Sequence, residues 1–170
     1  MPRELLILRH AKSEWDRGAV SDYDRPLAKR GRKDAPVVGA WLYREGMVPD
    51  YLVSSTAQRA QETALRVCKA LDFKKKRIVW DDAIYEADLN GLLGVLNRVP
   101  ADAATVLLVG HNPGLEELTR FLTGNDFDEP DDGKLLPTAA LARLEMPDDW
   151  SNLKAGCAAL LSVARPKQLK

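Results

Sequence analysis

Thr105-Val106-Leu107-Leu108-Val109-Gly110-His111-Asn112-Pro113 is the stretch on which the reading of the fold turns. From Val106 to Val109 there is no polar alternation, as expected of a strand buried on both faces. The run Leu5-Leu6-Ile7-Leu8 near the start of the chain has the same character. Each run ends on a histidine: Arg9-His10 follows the first, and Gly110-His111 the second.

Working outward from residue 113, a helix is expected over residues 114–123, closed by Gly124. Tyr51-Leu52-Val53 reads as a further strand, running into Ser54-Ser55-Thr56. The helix after it carries Ala60, Ala64, Val67, Cys68 and Leu71 on one face. Ala35, Val38, Trp41 and Leu42 put another helix at residues 32–45, ended by Gly46 and Pro49. A short strand at Ile78-Val79-Trp80 precedes a helix marked by Leu89, Leu92, Leu93 and Leu96. Residues 12–30 and the acidic residues 125–133 read as surface loops. Two late strands, residues 140–146 and 158–164, lack a helix between them, so an antiparallel edge is expected there. Strands alternating with helices predict an α/β fold, a single-domain three-layer sandwich. Its central sheet is mostly parallel, with helices on both faces, and residues 1–170 form one domain.

Composition narrows the function. The 25 basic and 25 acidic residues of this 170-residue chain cancel, so no overall field favours nucleic acid or an anionic membrane. Any anion site must be built locally. Cys68 and Cys157, each in an apolar segment and outside any CxxC spacing, read as buried structural thiols of a reducing compartment. The first apolar run is too short for a signal sequence, and no stretch reaches the about 18 residues of a membrane span. A cytoplasmic location is therefore expected.

In open parallel sheets, ligands bind beyond the carboxyl ends of the strands. Both histidines of the chain lie at such ends, and Arg59 opens the helix that follows a third. Taken singly, Arg59 is a solvated helix residue, Arg9 a partner for a local carboxylate, and residues 110–113 a turn. Together they suit a phosphoryl group. Arginine forks match its oxygens, and a helix N-terminus adds N–H donors and positive potential. Nearby guanidinium groups lower a histidine's pKa, so a neutral His10 can act as nucleophile, with its other ring nitrogen held by a backbone carbonyl. His111, if protonated, would neutralise charge on the transferring group, and Ser13 would add a hydroxyl.

Four separated motifs carry a family resemblance. They are Leu8-Arg9-His10-Ala11-Lys12-Ser13-Glu14-Trp15, then Asp24-Arg25-Pro26-Leu27 with Arg30-Gly31, then residues 54–63, and finally Val109-Gly110-His111-Asn112-Pro113. In this order they resemble the histidine phosphatase (phosphoglycerate mutase-like) superfamily, in its small SixA-type phosphohistidine phosphatase branch. The resemblance spans about residues 4–165 and implies a phosphoglycerate mutase-like fold. It implies that His10 becomes phosphorylated, with Arg9, Arg59 and His111 completing the phosphate pocket and Ser13 beside it. Ala11 stands where glycine often follows the nucleophile, as in the SixA-type branch. Asp16 stands where many members place a phosphate-contacting asparagine.

A carboxyl that protonates the leaving group and then activates water is also expected. Glu86 is the choice, with Asp82 and Asp16 as alternatives. The expected activity is hydrolysis of a phosphoramidate or phosphate monoester through phosphohistidine, without metal or other cofactor. Protein phosphohistidine is the favoured substrate, which would place the enzyme in signal transduction. A small phosphorylated metabolite is the alternative, and a catalytically silent phosphate-binding module a third. The acidic run 126–132 is read as a solvated loop, or as a means of repelling phosphorylated partners or orienting a basic one.

Overall fold

The computed structural model describes residues 3–15 and 20–170. A six-stranded sheet has the order β3-β2-β4-β1-β5-β6. Its strands are β1 (Arg3–Arg9), β2 (Tyr51–Ser54), β3 (Val79–Trp80), β4 (Thr105–Gly110), β5 (Leu141–Met146) and β6 (Ala159–Ala164). The first four are mutually parallel, while β5 and β6 add an antiparallel edge. The three-layer α/β sandwich expected above is present.

Apolar continuity explains the layering. Leu5, Leu6, Ile7 and Leu8 of β1 are each 0% exposed. Leu5 and Ile7 join one core with Val106 and Leu108, whereas Leu6 and Leu8 join the other with Leu107 and Val109. Each such side chain contributes about 1.5–3 kcal/mol on burial, so the two central strands anchor both cores. The helices are α1 (Lys29–Arg44), α2 (Gln58–Leu71), α3 (Leu89–Asn97), α4 (Gly114–Thr123) and α5 (Pro166–Leu169). Helices α1, α2 and α5 cover one face, and α3 and α4 the other.

Several element ends differ from expectation. Helix α1 starts at Lys29, three residues early, because the Arg32 N–H already bonds the Ala28 carbonyl. Its first turn is hidden in the sequence by two cations and Gly31. Ile78 closes a 3-10 turn, Lys75–Arg77, instead of joining β3. Strands β5 and β6 each begin one residue late. Cys68 is buried, and burial pushes its thiol up to about 12; Cys157 is only half-buried, in the turn before β6. In the acidic loop, Asp132 pairs with Arg165 and Glu129 with Arg120. No helix among the described residues is long and apolar enough to cross a membrane.

The sheet order brings three strand ends side by side. β4 lies between β2 and β1, so Ser54-Ser55, Gly110-His111 and Arg9-His10 leave adjacent strands at the same edge. The His10 and Ser55 N–H groups extend the two ladders to the carbonyls of Gly110 and Val109, each at 3.0 Å.

Gly31 lets α1 approach the chain just beyond His10. A Cβ at Gly31 would stand 2.1 Å from the Lys12 carbonyl oxygen, against backbone that cannot swing aside. Gly31→Ala is therefore expected to lower stability by about 1–3 kcal/mol, the usual cost of overpacking, as measured by urea denaturation. It should also lower activity, because Ala11 and Lys12 move together.

Candidate active site

His10 is 6% exposed, and its Nδ1 lies 2.8 Å from the Ala11 carbonyl oxygen. A carbonyl only accepts, so the ring proton sits on Nδ1 and the Nε2 lone pair is left available. Ala11 is itself held from α2: its N–H donates to Thr63 Oγ1 at 3.0 Å, and that hydroxyl donates to the Arg59 carbonyl at 2.7 Å. One buried threonine thus ties the loop that orients His10 to the turn that carries Arg59.

His111 stacks beside His10, ring centroids 5.2 Å apart and tilted by 51°. Its Nε2 lies 2.7 Å from Ser55 Oγ, which already accepts the Ala57 N–H. With no other acceptor among the described residues, the Ser55 hydroxyl proton points to Nε2. Nδ1 of His111 then bears the ring hydrogen, and it is buried without a partner.

The two arginines flank this pair. Arg59, in the first turn of α2, is 6% exposed and reaches Asp22 through Nη1 to the backbone oxygen (2.6 Å) and Nη2 to Oδ2 (3.1 Å). Arg9 Nη1 donates to the Leu136 carbonyl at 3.2 Å. The Nε of both arginines is buried without a partner. Three donor nitrogens, on Arg9, Arg59 and His111, are therefore sealed from water and unused, a costly state that an oxyanion would relieve.

Electrostatics keep both imidazoles neutral. Burial, followed by His111, Arg9 and Arg59, takes His10 down to about 3 against the Ala11 hydrogen bond. Burial and then Arg59 bring His111 to about 3 as well, with Asp22 opposing. The expectation of a protonated His111 is thus not met: burial and Arg59 favour the neutral ring. Asp22 is held at about 2, first by the Tyr85 hydroxyl (2.6 Å) and then by Arg59 and Arg25, despite partial burial. Tyr85 in turn is raised to about 12 by that bond.

The structure thus brings Arg9, His10, Arg59 and His111 together. Glu86 joins them less directly: with Asp22, Arg59, Tyr85 and His111 it lines a cavity of about 430 Å³. Its backbone is left-handed, φ 56°, a conformation uncommon for a residue with a side chain. Ser13 instead accepts from Arg25 Nη1 at 3.0 Å in a bridge to Leu27, and no contact links it directly to the histidines. Asp82 accepts from the Thr56 hydroxyl at 2.6 Å and does not line the cavity. Asp16 lies outside the described residues. Among the described residues, no group of three or more His, Cys, Asp or Glu side chains forms a metal site.

Sequence reasoning missed Asp22, Ser55, Thr63 and Tyr85 as individual contributors. Ser55 and Thr63 sat inside a quoted motif without a role. Nothing local distinguishes Asp22 or Tyr85, whose importance comes from partners 37 and 63 residues away from Asp22.

A chain with only two histidines allows a direct check of their charge. In imidazole NMR spectra recorded from pH 8 downward, neither ring should titrate near pH 6.5; both midpoints should fall below about pH 5. Unfolded histidines take up protons near pH 6.5 that the folded ones refuse, so stability should decline as pH falls from 6.5 towards 3. Urea midpoints across that range measure the loss.

Residues 5–95 match the model of the histidine phosphatase superfamily (branch 1), a span that includes His10, Arg59 and Glu86 and ends before His111. An uncharacterised protein of Mycobacterium tuberculosis is 32% identical over 164 residues, covering 94% of this chain and all of the relative. A solved structure from Nakamurella multipartitia, assigned as a candidate phosphohistidine phosphatase SixA, superposes with a TM-score of 0.80 at 30% identity, over 98% of this chain and 97% of that one. Another of the same assignment, from Agrobacterium tumefaciens, gives 0.83 at 27% identity, over 98% and 99%. The phosphoglycerate mutase-like fold is shared throughout. With its family model, its full-length relative and its paired histidines in accord, the chain belongs to the histidine phosphatase superfamily.

Proposed function

We propose that this phosphatase acts through a phosphohistidine on His10 and that its substrate is phosphohistidine on a protein. The observation that carries the reading is the set of unused buried donors around an imidazole whose Nε2 is free. Arg9 Nε, Arg59 Nε and His111 Nδ1 supply hydrogen bonds that three phosphoryl oxygens need.

The reaction runs in two displacements. His10 Nε2 attacks phosphorus, and the bond to the leaving nitrogen or oxygen breaks as that atom keeps the electron pair and takes a proton from Glu86. Water then attacks the phosphohistidine and gives its proton to Glu86. The P–Nε2 bond breaks, releasing inorganic phosphate and neutral His10. Buried positive charge and oriented donors supply the stabilisation that a metal supplies elsewhere, so no cofactor enters.

The phosphohistidine substrate is supported by solved structures described as candidate phosphohistidine phosphatases, at 27–30% identity. A protein substrate would pass the 3-10 turn Asp22–Asp24, which packs beside the site through Tyr23 edge-on to Tyr85. Such an enzyme would act in cytoplasmic signal transduction, where Cys68 and Cys157 stay free thiols. The cavity volume of about 430 Å³ also suits a small phosphate ester, the second reading.

Rapid mixing with labelled substrate and an acid-free quench should leave label on His10, labile to acid and stable to base. His10→Ala should abolish turnover while retaining tungstate binding. His111→Ala should slow transfer by about 10²–10³-fold, the scale of losing one charge-stabilising donor. Activity should survive strong chelators. Label on another side chain, or an active His10→Ala variant, overturns the mechanism. Turnover of small esters without phosphohistidine proteins overturns the substrate.

A further inference from the structure

The cavity outside His111 has walls of one sign. Asp22, Glu86, Asp88 and Glu117 line it, against the single cation Arg59. Two of these carboxylates are already engaged. Asp22 is spent on Arg59, Arg25 and Tyr85, and Asp88 caps α3 by accepting the Gly91 N–H at 2.8 Å. Glu86 and Glu117 carry no side-chain hydrogen bond or ion pair among the described residues, and both are exposed. Arg59, more than nine-tenths buried, lines the same cavity and keeps its Nε unpartnered. The positive charge of Arg25 faces a separate hollow with Trp15 and Arg32.

At the floor a phosphoryl dianion meets Arg9 and Arg59, with both histidines neutral and Asp22 shared between Arg59 and Arg25. What remains for the rest of the substrate is an acidic wall. Negative groups beside the phosphoryl-bearing residue are repelled there, and positive groups are drawn in.

We propose that this wall selects protein substrates whose phosphohistidine lies in a basic segment, with lysine or arginine a few residues away. The inference rests on the phosphohistidine reading above and goes further by naming the charge of the surrounding chain. Glu117 is its main determinant outside the chemistry, held at the cavity edge by the first turn of α4.

The test compares two phosphohistidine peptides of equal length, one flanked by lysines and the other by glutamates. At low ionic strength the lysine peptide should have a kcat/KM at least about tenfold higher, which corresponds to about 1.4 kcal/mol. The ratio should shrink as salt rises towards about 0.5 M. Glu117→Lys should cut the ratio by about tenfold and leave kcat/KM for phosphoimidazole within about twofold. Glu117→Gln, which places no cation at the helix N-terminus, should cut it by a smaller factor. Equal turnover of both peptides, or a ratio unmoved in both variants, overturns the basic-segment inference and leaves the phosphohistidine activity standing. If neither peptide turns over while a small phosphate ester does, the phosphohistidine reading itself fails, and this inference with it.

Discussion

The parallel pairing of β1 with β4, in register from Glu4–Thr105 to Arg9–Gly110, is the constraint on which the site depends. A one-residue slip would exchange the two cores, moving Leu5 and Ile7 to the face now filled by Leu6 and Leu8. It would also displace Arg9-His10 relative to Gly110-His111. Burial on both faces makes such a slip expensive, and that expense holds two imidazoles with centroids 5.2 Å apart. Precision at the edge of the sheet follows from apolar packing along its middle.

Around this frame the polar groups form short chains that cross between elements. Thr63 on α2 links the Arg59 carbonyl to the Ala11 N–H, and Ala11 in turn sets the tautomer of His10. Ser55, at the end of β2, does the corresponding work for His111. Each chain ends in a neutral ring, because burial and adjacent guanidinium groups disfavour the imidazolium. The proposed phosphoryl site thus keeps its charge on arginine, which cannot lose it, and its lone pair on a neutral histidine.

Asp22 completes the arrangement from the loop between β1 and α1. It takes the outer edge of the Arg59 guanidinium and leaves Nε unused, while Tyr85 and Arg25 hold the carboxylate in place. The acidic wall beyond it gives the cavity two characters, cationic at the floor and anionic towards the entrance. On the proposed reading, recognition of the phosphoryl group and of what carries it are separated in space.

Much of this protein is legible in its sequence. Unbroken apolar runs at residues 5–8 and 106–109 demand burial on both faces, which requires helices on both sides of a sheet. Histidines at the ends of those runs, with Arg59 opening a helix after a third strand, marked the candidate phosphoryl pocket, because strand ends and helix starts are local features. The first turn of α1 was not legible, since Gly31 is there to admit the Lys12 carbonyl, a contact between segments. Nor were the tautomers of the two histidines, or the unequal standing of Glu86, Asp82 and Ser13. Those depend on which side chains meet across the sheet edge. Local pattern records the period of an element and the chemistry at its ends; only tertiary packing decides which of those ends share a proton, and which carboxylates are left to face a substrate.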